Sequence, residues 1–243
     1  MRNIKLILQY DGSRYHGWQV QPGRPTVCGT LLRRLRIILN EDISLSASSR
    51  TDSGVHARCQ VANFKTAAPI PVKNLRRALN GLLPDDIVCR GASVVPDKFN
   101  SRFAVSRRYR YTIRNSSCKS PFDIPYSYFH PRALDAGLMK ESSLHLLGPH
   151  DFSAFHSSAG EKINRVRNII NIDVVKRGGY VYIDVEADGF LTHMVRIIAG
   201  TLLEAGRGRF SPSDIKKILA GRDRRNAGPT LPARGLCLMR VKY

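Results

Sequence analysis

The chain has 243 residues, 42% of them hydrophobic and 24% charged, an ordinary globular balance with room for one large domain or two fused halves. Lysine and arginine outnumber aspartate and glutamate by 39 to 19, and a formal net charge of +20 implies a polyanionic partner, nucleic acid ahead of a membrane surface. The five cysteines include no Cys-x-x-Cys pair and the histidines no ligand spacing with Cys or Glu, so neither a disulfide framework nor a metal site is expected. The start of the chain runs straight into an alternating strand, without a signal-peptide core, and no apolar run reaches membrane length, which predicts a reducing, cytoplasmic setting.

Alternation over residues 3–10 predicts a strand with Ile4, Leu6, Leu8 and Tyr10 on one face, ended by Asp11-Gly12-Ser13. Thr26 is a helix cap ahead of Leu31, Leu35 and Ile38, with Arg33 and Arg36 on the opposite side. Strand-like runs at 44–49 and 58–65 flank Arg50-Thr51-Asp52-Ser53-Gly54-Val55-His56. A helix with Leu75, Ala78, Leu79 and Leu82 stops at Pro84, and strands follow near 87–94 and 108–114. In the second half, Asp135 caps a helix expected to run to about 147 and end at Gly148. Residues 169–176 and 180–187 read as a hairpin about Gly178-Gly179. Residues 192–205 read as a helix with Met194, Ile197, Ile198 and Thr201 on one face. Ser211-Pro212-Ser213-Asp214 is a helix start, and a last strand covers 235–243. Each half mixes antiparallel-type strands with helices, so the expected class is α+β, with an N-terminal half at 1–105 and a C-terminal half at 106–243.

Asp52-Ser53-Gly54 is first of all a turn signal, because Asp bonds its own backbone and Gly accepts positive φ. It also presents a carboxylate at a sheet rim, with Arg50 beside it to meet a phosphate or a base. In Arg107-Arg108-Tyr109-Arg110-Tyr111, Tyr109, Tyr111 and Ile113 share one strand face and Arg108, Arg110 and Arg114 the other. Rings interleaved with guanidiniums suit RNA, and a half-buried strand with a solvated basic face has the same pattern. Arg196 lies in an apolar helical run, either snorkelling to the surface or awaiting a carboxylate.

Tyr10-Asp11-Gly12-Ser13-Arg14-Tyr15-His16-Gly17-Trp18-Gln19 resembles the opening signature of the TruA family of tRNA pseudouridine synthases, and Ser49-Arg50-Thr51-Asp52-Ser53-Gly54-Val55-His56-Ala57 resembles its catalytic motif. Further motifs follow in family order: the run from Ala78 to Ile87, Arg102-Phe103, Arg108-Tyr109-Arg110-Tyr111, Asp151-Phe152, His193-Met194-Val195-Arg196 and Gly235-Leu236. The resemblance implies two related α+β halves whose antiparallel sheets merge into one central sheet flanked by helices, with a cleft on the merged face. It implies a cofactor-free homodimer that isomerises uridines at positions 38–40 of the tRNA anticodon stem-loop. It implies that Asp52 is the catalytic carboxylate, that Tyr109 packs on the target base, that Arg50 helps move the nucleotide into the site, and that Arg196 pairs with Asp52. One departure stands out: Ser49 occupies the position before Arg-Thr-Asp where the family commonly has Gly. A noncatalytic RNA-binding protein fits the charge equally well, but gives no reason to place a carboxylate in a turn that faces a polyanion.

Overall fold

The computed structural model describes residues 1–157 and 163–243. The chain divides into two compact units, Met1–Val105 with Leu238–Tyr243, and Ser106–Cys237. Both are α+β. Among the described residues, no helix is long and apolar enough to cross a membrane.

The first unit opens with β1 (Arg2–Tyr10), whose residues Ile4, Leu6, Leu8 and Tyr10 are all buried, as alternation requires. Helix α1 (Val27–Leu39) begins where Thr26 accepts from the Gly29 N–H, and it buries Leu31, Leu35 and Leu39. Ile38 is only half-buried, and Arg33 and Arg36 face solvent. Strand β2 (Ser46–Ala47) is a short partner of β3 (His56–Thr66). Helix α2 (Val72–Leu82) buries Leu75 and Leu79 and leaves Leu82 exposed. Strand β4 (Ile87–Val95) completes the order β4-β1-β3, antiparallel throughout. Helix α2 packs on α1 and on β4, which gives its apolar stripe a surface to bury against.

The second unit starts with β5 (Ser106–Asn115), joined in parallel by β6 (Tyr128–His130), a three-residue strand too short to leave a periodic signal. Helix α3 (Ala136–Leu144) is capped by Asp135 as expected, but it ends three residues early. Leu146 and Leu147 bond back to Ser143 and Leu144, tightening the last turn, before Gly148 at φ +89° opens β7 (Gly148–Asp151). Strands β8 (Val166–Arg177) and β9 (Tyr180–Ala187) form the hairpin, with Gly178 and Gly179 both at positive φ, as a two-residue turn of this hand requires. The order is β5-β9-β8-β7.

Helix α4 (Met194–Gly206) is not one-faced: Val195, Ala199, Leu202 and Leu203 are buried along with Met194, Ile197, Ile198 and Thr201. Helix α3 packs along it, with Met139 against Gly206, and residues 226–232 cross its other side. A helix apolar all round is one covered all round. It starts two residues later than the periodicity suggests, because His193 sits in the left-handed region at φ 61°. Helix α5 (Pro212–Gly221) starts at a capping box between Ser211 and Asp214. Strand β10 (Leu236–Lys242) ends the chain's regular structure.

Candidate active site

Asp52 and Arg50 belong to the first unit. The β1–β3 pairing slips just beyond them in the chain: Leu8 faces Gln60, but Tyr10 faces Ala57. The extra residue on β3 re-aims the start of that strand, as bulges beside sites do. The expected turn forms at 52–55, where the Val55 N–H donates to the Asp52 carbonyl at 3.1 Å with Gly54 at φ +78° in its third position. Asp52 is half-buried at the start of this turn and Arg50 is exposed.

Residues 11–18 wrap around that turn and hold it through the main chain. The Trp18 N–H donates to the Thr51 carbonyl at 3.0 Å and the Gly54 N–H to the Tyr15 carbonyl at 3.2 Å. The Tyr10 and Thr51 hydroxyls lie 2.8 Å apart, and the Ser53 hydroxyl donates to the Tyr15 carbonyl. Two glycines permit the close approach. A β-carbon on Gly17 would fall 2.6 Å from the Thr51 carbonyl oxygen, and one on Gly12 only 2.0 Å from that of Val55. Asp86 anchors the wrapping loop from outside, taking the Tyr15 hydroxyl at 2.5 Å on its carboxylate and the Asp11 N–H on its carbonyl. Burial first, and the Asp86 bond second, raise the Tyr15 pKa and keep that hydroxyl a donor.

On the strand side, the fully buried Gln60 amide donates to the Ser49 carbonyl at 2.7 Å and accepts from the Ser48 hydroxyl at 2.7 Å. Ser49 is therefore fixed through its main chain. It does not take the left-handed backbone that would demand glycine: among the described residues, only Asn40, His193 and Arg222 do so without being glycine. Ser49 thus stands at a position whose backbone tolerates a side chain. Gln60 escaped sequence reasoning, and Gly12, Gly17 and Asp86 stand in the quoted motifs without an assigned role. The spacing of the two glycines was visible, but nothing local said what they approach.

Tyr109 and Arg196 belong to the second unit. Tyr109 shares the buried face of β5 with Tyr111 and Ile113, and its ring meets Phe190 edge-on at 5.2 Å. Arg196 lies in the first turn of α4, half-buried. Its Nε donates to the Leu231 carbonyl at 2.7 Å, and its own carbonyl accepts from the Leu231 N–H at 3.3 Å. The two-way tie to Leu231 fixes the base of the side chain. His193, whose Nδ1 lies 2.7 Å from the Ser157 hydroxyl, is the strained residue immediately before this turn.

The basic face of β5 is not simply solvated. Arg108 and Arg110 both pair with Asp184 of β9, at 3.0 and 2.8 Å, and Arg110 lies over the Tyr182 ring. Arg114 lies over Tyr180 and pairs with Asp123, which also accepts from the Tyr180 hydroxyl. Burial alone would raise the Asp184 pKa, but hydrogen bonds from Arg110 and Arg108 outweigh it and hold the carboxyl below the usual range. Asp184→Ala is expected to cost about 2 kcal/mol in urea unfolding, less than a fully buried pair because both guanidiniums keep partial access to water. The depressed pKa fixes the sign with pH. The carboxylate's contribution is complete above about pH 4 and is lost as pH falls through the lower folded-state value, an acid limb that Asp184→Asn removes.

The chain matches a family described as tRNA pseudouridine synthase over residues 6–104 and 143–243. It is similar to the tRNA pseudouridine synthase A of Geotalea daltonii, 46% identical over 244 residues and covering 100% of both chains. It is 46% identical over 243 residues to that of Moorella thermoacetica, covering 99% of each, and 41% identical over 244 residues to that of Thermoanaerobacter pseudethanolicus, covering 100% of both. The matched segments contain the Asp52 turn and its wrapping loop as well as the α4 turn of Arg196, so the motifs and the overall similarity agree. This chain belongs to the tRNA pseudouridine synthase family.

Proposed function

We propose that the chain isomerises uridine to pseudouridine on the 3′ side of the tRNA anticodon stem-loop, with Asp52 as the catalytic carboxylate. The observation that carries this reading is the Asp52 turn: a half-buried carboxylate in a strongly basic chain, held from both sides by main-chain hydrogen bonds rather than left on a mobile loop. The reaction breaks the bond between uracil N1 and the ribose C1′, turns the base, and joins C5 to the same carbon. C5 gives up a proton and N1 gains one. Product and substrate are isomers and no electrons are exchanged, so the chemistry calls for no redox cofactor. A carboxylate serves it either by attacking covalently or by taking a proton from the sugar.

The target base must leave its stack, at a cost of roughly a few kcal/mol. In this reading Tyr109 supplies a ring for the base, and Arg50 and Arg196 bind the substrate. The net charge of +20 supports a phosphate-rich ligand, with tRNA shape selecting the site. The enzyme is proposed to act in the cytoplasm as a homodimer.

Incubation with unmodified tRNA transcripts, followed by chemical mapping of pseudouridine at single-nucleotide resolution, tests the reading. New pseudouridine confined to the 3′ side of the anticodon arm is the expected result. Tight binding without isomerisation would return the chain to the noncatalytic reading, and modification elsewhere would move its target.

A further inference from the structure

His56 is the first residue of β3, four positions beyond Asp52, and is only 6% exposed. Its Nδ1 lies 3.1 Å from the Gly12 nitrogen, whose N–H donates to it, and 3.1 Å from Asp11 Oδ1. One ring nitrogen cannot serve both neighbours. To accept from Gly12 it must present a lone pair, which places the ring proton on Nε2; to donate to Asp11 it must carry a proton and forfeit the Gly12 bond. The Gly12 N–H meets hydrogen-bond geometry to Nδ1, which is the contact that acceptance serves. Asp11 is held by other means, its Oδ1 accepting from the Ser13 N–H at 2.9 Å and its own N–H donating to the Asp86 carbonyl at 2.9 Å.

The choice matters because of what Gly12 touches. It presses so closely on Val55 that no side chain fits between them, and the Val55 N–H closes the Asp52 turn. A ring that holds Gly12 therefore sets how the wrapping loop bears on that turn. We propose that His56 is a positioning residue for the isomerisation: its bare Nδ1 takes the Gly12 N–H and so fixes the turn that presents Asp52. This rests on the reading of Asp52 as the catalytic carboxylate.

Three variants separate the acceptor from the bulk of the ring. In His56→Asn, Oδ1 stands at the branch point that Nδ1 occupied; His56→Gln moves the acceptor one carbon outward; His56→Ala removes it. The Asn variant is expected to keep kcat within about threefold, and the Gln and Ala variants to lose about tenfold or more, with KM for tRNA nearly unchanged in all three. Equal kcat across the three, or a loss confined to KM, overturns the proposal. Nitrogen-15 NMR of the intact protein labelled at histidine reads the same point without a substitution. An unprotonated Nδ1 coupled to the Gly12 amide is expected, and a protonated Nδ1 overturns the proposal whatever the variants do. Asp52→Asn distinguishes the two readings. If it keeps turnover while Nδ1 is bare, the role of Asp52 fails; if it is inactive while Nδ1 is protonated, the role of His56 alone fails.

Discussion

Asp52→Asn is expected to lower the rate of isomerisation by about a thousandfold or more while tRNA affinity stays within about twofold. The amide has nearly the shape of the carboxylate. The turn is closed by the Asp52 main-chain carbonyl, and neighbouring main-chain bonds from Trp18 and Gly54 hold it, so the substitution leaves the turn standing. What it removes is the carboxylate oxygen that the proposed role needs, to attack carbon or accept a proton. Affinity rests on lysines and arginines, and removing a negative charge beside a polyanion does not weaken it. Single-turnover kinetics and filter binding read the two quantities separately. Turnover within tenfold of the parent would end the assignment of Asp52.

Gly200→Ala is expected to destabilise the fold by about 3 kcal/mol in urea unfolding, at the severe end of what overpacking costs. In an ordinary helix interior the same change is favourable by about 1 kcal/mol. Here the new β-carbon would lie 1.8 Å from the Pro229 carbonyl oxygen and 2.9 Å from its carbon. The crossing segment is as tightly constrained in return, since a β-carbon on Gly228 would fall 2.6 Å from the Gly200 carbonyl carbon and the Thr201 α-carbon. Neither backbone is free to withdraw: the Gly228 N–H donates to the Thr201 hydroxyl at 2.9 Å, and the Leu231 N–H to the Arg196 carbonyl. Gly81→Ala on α2 is the control, because nothing lies within 4 Å of its added carbon, and it is expected to stabilise by about 0.5–1 kcal/mol. Two changes of identical chemistry with opposite signs would show that the crossing, not helix propensity, decides the outcome at Gly200.

Elements with strong periodicity or explicit caps were legible in the sequence. The alternation of β1, the Thr26 and Asp135 caps, the Gly178-Gly179 hairpin and the Ser211 capping box all fall where residue chemistry puts them. Short strands such as β6 carry too few residues for a period to register. The burial of α4 on every side was not legible, because a helical pattern shows which positions are apolar and not how many neighbours will cover them. Asp184 was missed for a similar reason. Read alone, β5 suggests a basic face, and the carboxylate that pairs with it arrives from β9, more than seventy positions later. Asp52, Arg50, Tyr109 and Arg196 are proposed from their motifs, whereas the supports of the Asp52 turn are relations between segments that no local pattern records.

The Asp52 turn is held largely by groups that every amino acid possesses. Trp18, Tyr15, Thr51, Gly54 and Val55 contribute N–H or carbonyl groups to it, and those survive replacement of the side chains attached to them. The geometry of the Asp52 carboxylate is thus partly uncoupled from residue identity. Drift at Ser53, which is exposed, leaves the main-chain frame intact, as does the serine that stands at 49. The backbone frame itself is pinned where a side chain must be missing, at Gly12 and Gly17, and these act as its fixed points.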